Sequence, residues 1–435
     1  MIAKPIERPG PRRQILAWAF YDWANSAFAT VVIAGFFPVF FKEFWAADLA
    51  VTESTRALGY ASSAASLILV CVAPLLGALA DQLGAKKRFL LFFTSLGVLA
   101  TGGLFWLAAG HWVAALSLYL LGLLGFLASN IFNDALITDI AKPRDYERVS
   151  SLAYALGYLG GGLLFALNVV MVLTPTTFGL ADQGQAVQVA FLGVALWWAV
   201  FTIPLALLVP ESPGQGGKAL GAALRGAFTE LAQTFRTIRV LRNTFLFLIA
   251  YWFYIDGVDT IIFMAVDFGL SLGFPASSLM VALLITQFVG FPAALVFGHL
   301  GTRWGPKPSI LLAIGVYILV VAAASQMQQL THFYALAVAI GLVQGGVQAL
   351  SRALFAGLIP AGQTAELFGF YNMVGKFGAV LGPFLVGTTA ALTGDPRLSL
   401  LPILALFLIG ALLLTRVDVA VGRAAVRGGG EVTHS

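Results

Sequence analysis

Six ionisable side chains stand inside long apolar runs of this sequence, where a charged group is expensive. They are Asp22, Asp134, Asp256, Asp259, Arg352 and Lys376. An ionisable group at bilayer depth costs roughly 3 kcal/mol or more, so it usually faces a cavity, pairs with an opposite charge or changes protonation during function. Four acids and two bases offer both charge signs. These residue types therefore suit the binding of a charged or zwitterionic solute, or the movement of a proton.

Asp256 and Asp259 could carry a proton. The two residues are three apart, so on a helix they face similar directions. Two carboxylates held close in a low dielectric cannot both ionise cheaply, so one of them is expected to hold a proton. We therefore predict proton coupling. A sodium ion is the alternative, because carboxylates beside hydroxyls such as that of Thr260 also suit a hard cation.

Uncharged polar residues accompany the charged ones in the same runs. Their hydroxyls and amides could hydrogen-bond a small polar solute, and an amino acid would find both charge signs nearby. The alternative for any one of them is an interhelical hydrogen bond worth less than about 2 kcal/mol. The predicted cavity residues are Tyr21, Asn25, Asn130, Asn133, Tyr251, Tyr254, Gln344, Gln348 and Asn372.

The elements that position these residues must be membrane-spanning helices. The chain has 435 residues, of which 59% are hydrophobic and 10% are charged, whereas about a quarter of the residues in a soluble protein are charged. A spanning helix needs about 20 mainly apolar residues. Twelve charge-poor windows predict such helices: 15–41, 58–80, 89–109, 112–140, 150–173, 186–209, 244–270, 277–300, 309–326, 333–359, 368–392 and 398–414.

A polar segment divides the twelve windows into six and six. Residues 210–243 combine Pro, Gly and basic residues with an amphipathic stretch, as expected of a linker that lies on the membrane surface. The predicted domains are residues 1–209, this linker, residues 244–417 and a cytoplasmic tail of residues 418–435.

The distribution of basic residues predicts how the chain is oriented. Of the 25 Lys and Arg residues, only Lys42, Arg56 and Arg397 fall in loops on the opposite side from the N-terminus. Loops rich in Lys and Arg stay in the cytoplasm, so we expect both termini there, in an inner (plasma) membrane. The same bias accounts for the net charge of +5 without a nucleic-acid partner.

An internal repeat relates the two halves. A loop after the second window returns after the eighth, and a second match relates residues 134–136 to residues 352–354. Six spans repeated in the same orientation are the architecture of major-facilitator carriers, in which solute binds between the halves. The matched positions of the loop are Gly77, Leu79, Gly84 and Lys86 with Gly298, Leu300, Gly305 and Lys307.

The first copy of this loop is the predicted gate. Its small residues let helices approach closely, Asp81 can accept hydrogen bonds at a helix end, and the basic cluster can meet anionic headgroups. Thr302 replaces the acid in the second copy, so we expect gating mainly from the first. The alternative is that the basic residues of this loop only set the orientation of the chain in the membrane. The gating residues are Gly77, Asp81, Gly84, Lys86, Lys87 and Arg88.

Four motifs resemble the vacuole-effluxer-like branch of the major facilitator superfamily, long grouped as an "unknown major facilitator" family. They are YDWANSAF at 21–28, YALGYLGGG at 154–162, DGVDTII at 256–262 and GGVQALSR at 345–352. The resemblance implies an all-α membrane protein with the major-facilitator fold, twelve transmembrane helices in two pseudo-symmetric six-helix halves. Fungal members are associated with the release of amino acids from the vacuole, which implies efflux of an amino-acid-like cargo.

The resemblance also implies that helices 1, 4, 7 and 10 line a central cavity. Asp22, Asp134 and Arg352 then become neighbours across it. We predict a network of Asp22 and Asp134 with Arg352 and Lys376 that changes its pairing between inward-open and outward-open states. A static charge cluster that only fixes helix packing is the alternative.

Other chemistries have no support in the sequence. The GQGGK stretch at 214–218 lacks the flanking residues of a phosphate loop, and the four histidines stand at no metal-ligand spacing, so we predict no nucleotide, cofactor or metal. An enzyme would be indicated by a nucleophile placed beside a base, and the sequence shows no such arrangement. We predict a monomeric, proton-coupled secondary transporter of a small polar solute, with the lipid bilayer around it. Transport of a lipid or lysolipid, a non-transporting receptor and a lipid enzyme are the alternatives.

Overall fold

The structure of the chain is a computed structural model that describes residues 11–211, 241–360, 362–394 and 398–428. Most of the predicted linker, residues 212–240, lies outside these ranges. Within them the chain forms twelve long helices and one shorter C-terminal helix. They are α1 (Pro11–Trp45), α2 (Val51–Leu83), α3 (Lys86–Gly103), α4 (Trp112–Ile140), α5 (Tyr146–Leu173), α6 (Gln183–Leu208), α7 (Arg242–Ser271), α8 (Ala276–Trp304), α9 (Pro306–Ala324), α10 (Leu330–Ala356), α11 (Thr364–Thr393), α12 (Leu401–Thr415) and α13 (Val419–Gly428).

The predicted all-α membrane fold with about twelve spanning helices is confirmed. In the described ranges, eleven helices are long and apolar enough to cross a bilayer. The twelfth, α11, has 30 residues, more than the roughly 20 that a span requires. We call α1–α6 the first half and α7–α12 the second half. The proximal end of the bundle is the end where α1 begins and α12 finishes, and the distal end is the opposite one.

Most helices are longer than the apolar windows that predicted them. α2 begins at Val51 rather than at residue 58, because Glu53 and Arg56 continue the helix beyond its apolar part. An apolar window detects only the part of a helix that suits hydrocarbon, whereas backbone hydrogen bonding carries the helix on into the interface.

α1 is irregular where it approaches the distal end. Its segments Phe28–Phe36 and Phe41–Trp45 are π-helical, and they flank an α-helical turn whose second residue is Pro38. Proline lacks the N–H that an α-helix needs, and π-turns often occur at functional sites. The side of α1 around Pro38 faces the cavity described below.

The two copies of the repeat make equivalent contacts between the halves. α2 packs against α11, and α8 packs against α5. A Cβ at Gly77 of α2 would collide with the backbone carbonyl of Ala365, and a Cβ at Gly298 of α8 would lie 2.7 Å from the Cβ of Ser151. The first glycine of each copy of the repeat, Gly77 or Gly298, therefore stands where helices of opposite halves approach closely.

The predicted C-terminal tail contains the helix α13. Asp418 caps it by accepting a hydrogen bond from the backbone N–H of Val421 at 3.0 Å. Arg423 extends from α13 to the first half, where its Nη2 lies 2.8 Å from Oε1 of Glu147, a residue that is 5% exposed. The tail thus connects the two halves at the proximal end.

Candidate functional site

A cavity of about 1000 Å³ lies between the halves. It runs from the level of Arg352 to the distal end, where it is lined by Lys42 and the exposed Glu43 of α1. Most of its wall comes from α1, α4 and α5 on one side and from α7, α8, α10 and α11 on the other. The helices expected to line it, α1, α4, α7 and α10, all do so.

Arg352 of α10 inserts its guanidinium into the first half. Its Nη1 lies 3.0 Å from Oδ1 of Asp134 and its Nη2 lies 3.2 Å from Oδ2 of Asp22. Its Nε donates a hydrogen bond of 2.8 Å to the hydroxyl of Ser150. Only 2% of the arginine is exposed, so these bonds take the place of its hydration.

Two aromatic rings cover the guanidinium. Its central carbon lies 4.9 Å from the ring centroid of Trp18 and 4.5 Å from that of Tyr154. Such cation–π contacts are each worth about 2 kcal/mol when desolvated. Because its ionic partners and both rings belong to the first half, Arg352 is a tie between the halves in this conformation.

The two aspartates each receive one further hydrogen bond. Asn133 Nδ2 donates to Asp22 Oδ1 at 2.7 Å, and Asn372 Nδ2 donates to Asp134 Oδ2 at 3.2 Å. Removal of one member of a buried, hydrogen-bonded ion pair typically costs about 3–5 kcal/mol. The arginine and its two aspartates therefore form a network in which their charges are already paired with one another.

Lys376 and Asp259 stand apart from this network. Both line the cavity, and among the described residues neither makes an ion pair within 4.0 Å. The Lys376 ammonium interacts electrostatically with both Asp259 and Asp134. One positive and one negative group, both on the second half, are therefore available to the cavity.

Asp256 does not share the cavity with Asp259, as the sequence had led us to expect. It is 0% exposed and its Oδ1 accepts the backbone N–H of Gly382 of α11 at 3.0 Å. Three residues advance a helix by about 300°, which is 60° short of a full turn. That angle is enough to direct one carboxyl to the neighbouring helix and the other to the cavity.

Six of the nine predicted polar residues line the cavity. Three do not, because they are buried within one half: Tyr21 bonds Thr94 at 2.7 Å, Tyr254 bonds Ser351 at 2.6 Å, and Asn133 bonds Asp22. The cavity-lining members are Asn25, Asn130, Tyr251, Gln344, Gln348 and Asn372.

Sequence reasoning missed two tyrosines and a serine. Tyr154 and Tyr158 of α5 line the cavity, and the hydroxyl of Tyr158 donates to Gln348 Oε1 at 3.4 Å. Ser150 is buried and holds Arg352. The three residues are spaced four apart, which places them on one face of α5. This spacing is the feature of the sequence that could have identified them.

The predicted gate joins the halves at the proximal end. Asp81 Oδ2 accepts the backbone N–H of Glu366 at 2.9 Å, in the first turn of α11, where a helix carries a partial positive charge. Lys86 is 5% exposed and lies 3.1 Å from Asp139 and 3.5 Å from Asp81. Thr302, at the matching position, instead donates within its own helix to the Gly298 carbonyl at 2.8 Å.

The remaining basic residues of the gate stay within the first half. Lys87 Nζ donates to the Val209 carbonyl at 2.8 Å, and Arg88 lies 3.6 Å from Glu211 with most of its side chain exposed. Lys307 Nζ donates in the same way to the Val417 carbonyl at 2.8 Å. The structural counterpart of Lys307 is therefore Lys87, although the sequence alignment paired it with Lys86.

Comparisons with known proteins give one consistent answer. A model of the protein family described as "Vacuole effluxer Atg22 like" matches residues 52–427. An uncharacterised MFS-type transporter of Bacillus subtilis, YxiO, is 37% identical over 93% of this chain and 95% of its own length. Autophagy-related protein 22-1 of Penicillium rubens is 29% identical over 63% of this chain, and the match spans 50% of that longer protein.

Solved structures of similar fold include several transporters. The human organic anion transporter MFSD10 superposes with a TM-score of 0.70 at 15% identity, covering 94% of this chain and 100% of its own. The proton:xylose symporter XylE superposes with a TM-score of 0.68 at 13% identity, covering 94% and 95%. At such low identity these likenesses establish the major-facilitator fold.

Proposed function

This chain belongs to the vacuole effluxer Atg22-like family of MFS-type transporters, and from that premise we propose that it is a secondary carrier of a zwitterionic, amino-acid-like solute. The observation that carries the proposal is the pair of opposite charges, Lys376 and Asp259, that face the central cavity without ion-pair partners among the described residues. A carboxylate and an ammonium on one small molecule would match them.

The surrounding charges give Arg352 and Lys376, the two basic residues of the cavity away from its distal end, different roles. Arg352 is already bonded to Asp22 and Asp134, so it holds the halves together. Lys376 is free to receive the solute carboxylate, and Asp259 the solute ammonium. A hydrogen bond to a charged group contributes about 1.5–3 kcal/mol, so two of them support binding in the millimolar range, near 4 kcal/mol.

Neutral polar groups complete the proposed binding site. Asn25 donates to Asn130 at 2.6 Å, so each amide retains further capacity for the solute. Gln344, Gln348 and Tyr158 line the second-half side and the cavity centre. Interhelical bonding among these groups is the alternative for each of them.

We propose alternating access between the conformation described and its opposite. The cavity extends to the distal end, while Arg352, Asp81 and Arg423 each join the halves toward the proximal end. Basic residues concentrate at the proximal end, which supports placing it in the cytoplasm. This conformation is then outward-open, and the three ties must break before the solute site reaches the cytoplasm.

Efflux and coupling to protons belong to the same proposal. The family description names an effluxer, which supports export. Among the described acids deep within the helix bundle, Asp256 and Asp259 of the second half are not bonded to Arg352, and either could accept a proton.

A transport assay with matched variants tests the proposal. The purified protein in proteoliposomes is screened with a panel of labelled amino acids, and each hit is compared with two analogues, its decarboxylated amine and its deaminated acid. We expect the wild type to prefer the amino acid over both analogues.

Two substitutions then assign the charges. Lys376→Met should abolish the preference over the amine, and Asp259→Asn should abolish the preference over the acid. Arg144→Gln serves as the control, because this arginine is exposed on the surface and its loss should change neither preference. Unchanged selectivity in both cavity variants, with transport intact, would refute the proposed roles.

A further inference from the structure

Asp256 is a fully buried acid of the second half that does not line the solute cavity. It is 0% exposed, and so is Thr260, one turn further along α7, which borders the cavity. Its position is about 21 Å along the helix from Arg242. In the described part of the chain, Asp256 Oδ2 and the Thr260 hydroxyl have no hydrogen-bond partner other than each other.

The surroundings of Asp256 hold no balancing cation. None of the described basic residues lies within 4.0 Å of it. α12, which packs on this side of α7 through Phe407 and Gly257, has no ionisable side chain in its sequence. The charged group that interacts with Asp256 is Asp259 on its own helix, which repels a second negative charge, while Lys376 of α11 interacts with Asp259 and Asp134.

A bare carboxylate in this position would be a buried and uncompensated charge. Such charges are among the most costly features a protein can contain. One proton removes the cost, and Oδ2 is the oxygen left free to carry it, because Oδ1 accepts the N–H of Gly382. The protonated oxygen can then donate to the hydroxyl of Thr260, which has no other hydrogen-bond partner among the described residues.

We infer that the Asp256 carboxyl is the site of the coupling proton, separate from the solute cavity and placed on the contact between α7 and α11. This inference rests on the proposed transport function. Transfer of the Oδ2 proton to water leaves a carboxylate, which is tolerated once α7 and α11 part enough to admit water. Binding and release of the proton are thereby linked to the contact at Gly382, where a Cβ would lie 2.9 Å from Asp256 Oδ1.

Infrared spectroscopy of the purified protein in lipid tests the protonated state without any cargo. We expect the wild type at neutral pH to show the C=O stretch of a buried carboxylic acid, and Asp256→Asn to lose it. The asparagine oxygen can still accept the Gly382 N–H, so the variant keeps the contact. Asp259→Asn is the matched control and should retain the band.

A second variant keeps the assignment testable if Asp256→Asn fails to fold. Thr260→Val removes the partner of the acid proton, so the band should shift in frequency. A spectrum that neither Asp256→Asn nor Thr260→Val alters would overturn the assignment.

A transport assay distinguishes a loss of proton coupling from a loss of solute binding. With the labelled amino acid selected by the screen, Asp256→Asn should retain counterflow exchange but lose its stimulation by a pH gradient. A variant that a pH gradient still drives, or a wild type driven by a sodium gradient alone, would overturn the inference. A wild type that moves none of the panel would refute the proposed function and leave the infrared result intact.

Discussion

Arg352 offers the sharpest test of how the halves are held together. It bonds Asp134 at 3.0 Å and Asp22 at 3.2 Å across the interface between the halves. Arg352→Gln removes both charge-assisted bonds, each worth about 1.5–3 kcal/mol, and leaves two aspartates facing each other. In the opposite conformation water reaches these acids, so the substitution should penalise the described conformation more than the alternative.

The expected magnitude follows from the loss of both bonds at the lower value of about 1.5 kcal/mol each. A differential penalty of about 3 kcal/mol shifts the ratio of the two conformations by about a hundredfold. Asp22→Asn alone should shift the ratio less, because Asp134 still holds the arginine. The double variant should be less perturbed than the sum of the single ones, since the two groups act on each other.

Cysteine labelling measures the ratio directly. The single native cysteine, Cys71, is exposed and is first replaced by serine. Reporter cysteines at the proximal and distal ends then give labelling rates for both sides of the protein. We expect Arg352→Gln to label faster at the proximal end and more slowly at the distal end. Labelling that changes less than about threefold, in a variant that remains monodisperse, would show that Arg352 is not a tie of this strength.

Three further substitutions probe the proximal end and the packing of the repeat. Asp81→Asn removes a charge from the N-terminus of α11, an interaction worth up to about 2 kcal/mol, so proximal labelling should rise. Arg423→Gln leaves Glu147 buried without its 2.8 Å partner and should also raise proximal labelling, which truncation of α13 should reproduce. Gly298→Ala overpacks the contact with α5 and should lower the melting temperature by the equivalent of about 1–3 kcal/mol. Gly193→Ala is its control, because a Cβ there meets no atom within 4 Å, and equal melting temperatures for the two would contradict the packing argument.

The pairing of Arg352 with the two aspartates could be predicted from the sequence for a physical reason. Charges inside apolar windows are so costly that few arrangements can satisfy them. Four of the six candidates lie roughly 10–14 Å along their helices from the ends predicted to be cytoplasmic: Asp22, Asp134, Arg352 and Lys376. The repeat and its resemblance to known carriers then supplied the missing information, which helices face one another. Depth alone could not have done so.

The place of Asp256 outside the cavity lining could not be predicted, for an equally physical reason. Residues three apart on a helix are neighbours, but a helix at a crowded junction has a different partner every 60° or so. Whether a side chain faces a cavity or a neighbouring backbone depends on how the helix is rotated, and the rotation is set by packing contacts such as those of Gly257 with Phe407. A single sequence contains no record of those contacts.

Tyr154 and Tyr158 were missed because aromatic residues are common in membrane helices. Nothing in their chemistry separates a tyrosine that covers a guanidinium from one that fills space between helices. The distinction became visible only when Arg352 was placed 4.5 Å from the ring of Tyr154.

The two matching lysines bear on whether the two halves can assemble as separate fragments. Lys87 connects the start of α3 to the end of α6, and Lys307 connects the start of α9 to the end of α12. In each half a lysine thus joins the third helix to the chain just after the sixth, and neither contact involves the other half. Two fragments of the present protein, divided between residues 211 and 241, should still assemble when they are produced together.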